Sequence, residues 1–117
     1  MNVAVIGVGF VGSAVDYAFT TEGVKKFIVD PKIDTSIDDL IEWKQDITFV
    51  CAPTPMSDDG NIDAAIVIDA TLKLISHTDS LVVIKSTITP DVINQIYNSI
   101  HAENAQRITY NPEFLTE

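Results

Sequence analysis

Residues 7–12 read Gly7-Val8-Gly9-Phe10-Val11-Gly12, a G-x-G-x-x-G. Three glycines at this spacing suit one kind of chemistry, the approach of a peptide backbone to a phosphate. The first permits a tight turn, the second lets the chain come up to a pyrophosphate, and the third lets a helix pack closely on a strand. Free N–H groups at the start of that helix, aided by its dipole, would hold the phosphate oxygens. Asp30 stands 18 residues beyond Gly12, where this fingerprint wants a carboxylate to accept ribose hydroxyls. A carboxylate there repels the 2′-phosphate of NADP, so the expected cofactor is NAD. An FAD site shares the glycine pattern, and a glycine-rich turn without a cofactor is the plain structural alternative.

Three further groups of polar and proline residues follow apolar runs. They are Cys51-Ala52-Pro53-Thr54-Pro55 with Asp58-Asp59-Gly60-Asn61-Ile62-Asp63, then Ser86-Thr87-Ile88-Thr89-Pro90, then Asn111-Pro112-Glu113-Phe114-Leu115-Thr116-Glu117. The runs before them have strand character. Val3–Ile6, Phe27–Val29, Ile47–Cys51 and Leu81–Ile84 are almost wholly apolar and rich in β-branched or aromatic residues, as strands buried on both faces are. Arg107–Thr109 is assigned as a fifth strand because it continues the alternation.

Helices are expected between the strands. Phe10 to about Thr21 follows the glycine turn. Ile37–Trp43 is short, with Ser36 or Asp38 as cap. Asp63–Ile75 has Asp63 as N-cap and sets Ile66, Ala70 and Leu74 on one side. Pro90–Ile100 has Thr89 as N-cap and Pro90 at the first helical position, where proline is favoured. Alternating β and α units imply right-handed crossovers and a parallel sheet with helices on both faces. The expected fold is a single α/β domain over residues 1–117, a doubly wound Rossmann-type sheet. In such a sheet ligands bind at the carboxyl ends of the strands, where all four polar groups fall.

GVGFVG, Asp30, APTP with DGNID, STITP and NPEFLTE occur in this order along nearly the whole chain. Together they resemble the nucleotide-sugar 6-dehydrogenases, the UDP-glucose/GDP-mannose dehydrogenase family. NPEFLTE is the most specific, since a generic Rossmann domain has no reason to carry it. The resemblance implies oxidation of the C6 hydroxyl of a nucleotide sugar to a carboxylate, with two NAD reduced in succession and a cysteine thioester between. It implies that Gly7, Gly9, Phe10, Val11 and Gly12 hold the pyrophosphate and Asp30 the adenosine ribose. Pro53, Thr54 and Pro55 would line the cofactor cleft, with Ser86 and Thr87 near the nicotinamide half. Thr87 and Glu117 would position the water of proton transfer and thioester hydrolysis. Glu113, Phe114, Leu115 and Glu117 would border the sugar nucleotide. The family's nucleophilic cysteine, lysine and asparagine lie in later segments, so the chain is expected to be the N-terminal domain alone and inactive by itself, the longer enzyme a homodimer. The stretch from Pro31 to Gln45 is shorter than the family's usual insertion.

The remaining chemistry-bearing residues read as structural. Cys51, the single cysteine, ends an apolar run as a small buried hydrophobe, and a lone cysteine excludes an internal disulfide or a multi-cysteine zinc site. His77 and His101 close helices, Trp43 packs the short helix on the sheet, Tyr17 and Phe19 pack their helix, and Asp58-Asp59-Gly60 is a turn. The net charge of −10 disfavours nucleic acid and anionic membranes. With no basic leader and no long apolar run, a cytoplasmic protein is expected. Two other readings are a stand-alone dinucleotide-binding module or partner subunit, and the N-terminal domain of a β-hydroxyacid-type dehydrogenase, which would not carry NPEFLTE.

Overall fold

A computed structural model describes residues 1–7, 23–30, 35–52, 64–100 and 102–111, with only the backbone at 41, 42 and 102. Its strands are β1 (Asn2–Ile6), β2 (Lys25–Val29), β3 (Ile47–Val50), β4 (Leu81–Ile84) and β5 (Ile108–Tyr110). They form one sheet in the order β2-β1-β3-β4-β5, and every neighbouring pair is parallel. Parallel neighbours require crossovers. Those described hold α1 (Asp38–Trp43), α2 (Ala65–His77), α3 (Pro90–Asn98) and α4 (Ala102–Ala105). This is the parallel α/β architecture that the alternating apolar runs predict. The helix expected from Phe10 to Thr21 lies outside the described residues.

Side chains alternate across a strand, and the core divides accordingly. Ala4, Ile6, Val50, Val82, Ile84 and Ile108 share one cluster with Leu40 of α1, Val67, Ala70, Leu74 and Ile75 of α2, and Ile96 of α3. Val5 and Cys51 belong to a separate cluster with Ile28 and Phe49. Helices α1, α2 and α3 therefore cover one face of the sheet. Trp43 packs against Phe27 with ring centroids 5.4 Å apart, as expected of a residue holding α1 to the sheet.

Several local expectations need correction. β3 stops at Val50, one residue before Cys51, and β5 is shifted by one residue to Ile108–Tyr110. Helix α1 begins at Asp38, and neither Ser36 nor Asp38 caps it with its side chain. Instead the Ser36 N–H donates to Asp39 Oδ2 at 2.9 Å. Helix α2 runs from Ala65 to His77 with Ala64 in the N-cap position. Its buried stripe is Val67, Ala70, Thr71, Leu74 and Ile75, whereas Ile66 is 50% exposed. Thr89 does occupy the N-cap position of α3, though without a side-chain bond, and the helix ends at Asn98.

The stripe makes a direct prediction. Leu74→Ala should cost about 2–5 kcal/mol, because it opens a cavity in the core. Ile66→Ala should stay within about 0.5 kcal/mol, as exposed sites do. Urea unfolding of the two variants checks the phase of the helix.

Candidate cofactor site

The register builds the site. Ile6 pairs with Val29 and with Val50, Val50 with Ile84, and Ile84 with Tyr110. The next residue of each strand then falls in one row along the carboxyl edge: Asp30, Gly7, Cys51, Lys85 and Asn111. Backbone bonds continue the ladder into this row. Gly7 N–H donates to Val29 O at 2.8 Å, Cys51 N–H to Ile6 O at 2.8 Å, Lys85 N–H to Val50 O at 2.8 Å and Asn111 N–H to Ile84 O at 2.9 Å.

Gly7 cannot be another residue here. Its φ is +87°, a backbone state in which a side chain is strained. A Cβ would also stand 2.8 Å from the Cys51 carbonyl oxygen and 3.1 Å from Ala52 Cα. The β1 chain thus leaves the sheet pressed against the end of β3. Strand order reverses at this point, since β2 lies on one side of β1 and β3 to β5 on the other, and such a switch point is where open α/β sheets bind ligands.

Asp30 directly follows β2 and is only 7% exposed. Thr35 fixes its backbone: the Asp30 N–H donates to Thr35 Oγ1 at 2.9 Å, and the Thr35 hydroxyl donates to Ile28 O at 2.8 Å. Thr35 is a positioning residue that the sequence does not announce, because a threonine five residues after a strand has no motif to mark it.

At the end of β4, Ser86 is buried and its hydroxyl donates to Ala52 O at 2.8 Å. That bond braces the β3 and β4 ends against each other. Thr87 is exposed at the same edge. The loop is held from below by Tyr110, whose hydroxyl donates to Ile88 O at 3.0 Å and accepts the Ile88 N–H at 3.2 Å. Lys85, also missed by sequence reasoning, is only 7% exposed. It is unexpected because lysine is seldom buried.

Cys51 is buried. Burial pushes its thiol up to about 12, with the Lys85 charge acting in the opposite direction. A thiol held protonated is a poor nucleophile, so the role of a small buried hydrophobe stands. Of the other expected site residues, Gly9, Phe10, Val11, Gly12, Pro53, Thr54, Pro55, Glu113, Phe114, Leu115 and Glu117 lie outside the described residues, as do Tyr17, Phe19, Asp58, Asp59, Asp63 and His101. Among the described residues no group of three or more His, Cys, Asp or Glu is arranged to hold a metal ion. No described helix is long and apolar enough to cross a membrane.

The model of the UDP-glucose/GDP-mannose dehydrogenase family, NAD binding domain, matches residues 32–117. The chain belongs to this family. The cofactor of its domain is NAD. The match begins after Asp30, so the glycine turn and the acidic residue are a separate indication of the same cofactor. Among curated proteins no sequence matches the chain. Solved structures of similar fold include a UDP-glucose dehydrogenase from Pyrobaculum islandicum, with 23% identity and a TM-score of 0.68 over 99% of this chain and 36% of that one. A GDP-mannose dehydrogenase from Pseudomonas aeruginosa has 19% identity and a TM-score of 0.71, over 100% of this chain and 37% of that one. The UDP-N-acetyl-mannosamine dehydrogenase Cap5O from Staphylococcus aureus has 17% identity and a TM-score of 0.73, over 99% and 38%. The chain thus spans little more than a third of each of these dehydrogenases.

Cys51 offers a check on this edge. Its thiol titrates near 12 in the folded chain against an ordinary value of 9.0. The unfolded chain therefore loses that proton first. The stability tied to it is intact below 9.0 and falls as pH rises towards 12. The alkaline loss of Tm should be shallower in Cys51→Ala than in the parent. Iodoacetamide at about pH 8 should label Cys51 in urea and leave it unlabelled in the folded chain.

Proposed function

We propose that the chain is the NAD-binding part of a nucleotide-sugar 6-dehydrogenase, which oxidises the C6 alcohol of a UDP- or GDP-sugar to a carboxylate while two NAD are reduced in succession. The observation that supports it is the close approach at Gly7, where the space a Cβ would fill is taken by the Cys51 carbonyl, beside Asp30 at the next strand end. Gly7 makes the tight turn that the dinucleotide fingerprint asks of its first glycine, and a carboxylate closes the neighbouring strand, as that fingerprint asks for the ribose. The residues present fit the group.

When bound, the nicotinamide accepts the hydride; the protein supplies orientation and electrostatics. Asp30 accepts the adenosine ribose hydroxyls and repels a 2′-phosphate. Gly7, Gly9, Phe10, Val11 and Gly12 hold the pyrophosphate, and Pro53, Thr54 and Pro55 line the cleft. Ser86 shapes the loop on the nicotinamide side, its own proton engaged with Ala52 O. Thr87, exposed, has its side chain available to order a water. With Glu117 it holds that water for proton transfer, a task suited to a hydroxyl and a carboxylate together. Glu113, Phe114, Leu115 and Glu117 border the sugar nucleotide. The reaction belongs to the cytoplasm, its uronic acid product serves polysaccharide synthesis, and the longer enzyme is a homodimer.

The 117 residues alone bind NAD and do not complete the oxidation. Capture of the aldehyde as a thioester needs a reactive thiolate, and Cys51, the single cysteine, is buried with its thiol near 12. Incubation with NAD and UDP-glucose should give no sugar carboxylate; its formation with two NADH per sugar would overturn this. Asp30→Ala should weaken NAD binding about tenfold or more, the worth of hydrogen bonds to a charged group. It should also narrow the preference over NADP. Calorimetry giving equal NAD affinity for parent and variant would remove Asp30 from the site.

A further inference from the structure

The loop between β4 and α3 has a crest held between two anchors. Of residues 85–88 only Thr87 is exposed. On one side of it, Ser86 is tied to the end of β3. Its N–H donates to Val50 O at 3.2 Å and its hydroxyl to Ala52 O at 2.8 Å. On the other side, Ile88 is buried and belongs to the main core cluster. Beyond it the chain enters α3, with Thr89 in the N-cap position and Pro90 as the first helical residue.

The second anchor hangs on one side chain. The Ile88 N–H donates to the Tyr110 hydroxyl at 3.2 Å, and the same hydroxyl donates to Ile88 O at 3.0 Å. A phenol has one proton to give and lone pairs to receive with, so a single oxygen meets both polar backbone groups of one residue. Such groups need a partner once water is excluded. Tyr110 is itself fixed. It pairs with Ile84 in the sheet, its ring packs against the core cluster, and the next residue, Asn111, donates its N–H to Ile84 O at 2.9 Å. The hydroxyl is a peg standing on the sheet, one residue short of the cofactor row.

We propose, resting on the cofactor reading above, that Tyr110 is a positioning residue for the nicotinamide end of the dinucleotide: its hydroxyl holds Ile88 and so, together with Ser86, presents Thr87 beside the cofactor row without touching the ligand itself. A loop already held in its binding conformation costs less to order when the ligand arrives. The adenosine end lies elsewhere. Gly7 and Asp30 follow β1 and β2, and β3 and β4 stand between those strands and β5. Tyr110 therefore acts on one half of the dinucleotide only.

The test compares NAD with ADP-ribose, which lacks the nicotinamide, on the full 117-residue chain. Tyr110→Phe removes one oxygen and keeps the ring. It should weaken NAD binding about threefold or more, as loss of a hydrogen bond does, and leave ADP-ribose within about twofold of the parent. Tyr97→Phe is the control for a lost structural bond, since the Tyr97 hydroxyl donates to Ile108 O at 3.4 Å, at the other end of β5. It should change neither affinity. In the parent, labelled with ¹⁵N and ¹³C, NAD should move both the Ile88 amide and the Tyr110 ring signals, and ADP-ribose neither; this measurement holds even if the variant does not fold. Equal losses for the two ligands in Tyr110→Phe, no loss for either, or Ile88 and Tyr110 signals unmoved by NAD would overturn the proposal and leave the cofactor reading standing. A parent chain that binds neither ligand would overturn both.

Discussion

Everything at the carboxyl edge depends on the space beside Gly7. The backbone there turns with φ +87° while its N–H binds the end of β2 and its Cα faces the carbonyl of Cys51 at the end of β3. Three strands are locked together by one residue without a side chain. The same contact fixes how low β1 ends relative to its neighbours. That sets where the following turn begins and how near Asp30 stands to it. A methyl group at this point would part β1 from β3, and the row of strand ends would no longer be level.

The rest of the molecule keeps that row in place from the far side. Arg107 bonds the carbonyl of Ile75 in the last turn of α2 at 3.3 Å, and those of Thr78 and of Ser80 (3.2 Å) in the turn between α2 and β4. It satisfies carbonyls that the end of a helix leaves open. Tyr110 does the same for the loop after β4. By contrast, the ion pair of Lys73 and Asp38, 2.7 Å apart and mostly in solvent, adds little, as exposed pairs do. Hydrogen bonds from partly buried side chains to backbone carbonyls brace the sheet; the exposed ion pair does not.

The strands and their parallel order were legible because a strand buried on both faces has to be apolar throughout. All five runs assigned as strands are strands to within two residues at either end. The phase of α2 was not legible. Ile66, Val67 and Ile68 are consecutive and apolar, so periodicity allows more than one face, and the buried Thr71 reads as polar. Packing against Leu40 and the sheet chooses Val67 over Ile66. The four-residue α4 has no cap or period to reveal it. At the strand ends, the positions of Gly7 and Asp30 were readable, because a glycine turn directly follows the first apolar run and an acidic residue the second. Thr35, Tyr110 and the buried Lys85 were not, because their roles come only from tertiary contact.

The central claim is that the level row of strand ends is where NAD lies. The most direct measurement is the amide spectrum of the ¹⁵N-labelled chain titrated with NAD. Saturable shifts should appear at Gly7, Asp30, Cys51, Ala52, Ser86 and Thr87, and leave Arg107 and Thr78 at the opposite edge unmoved. Shifts centred on the amino edge, or none at the carboxyl edge at saturating NAD, would contradict it.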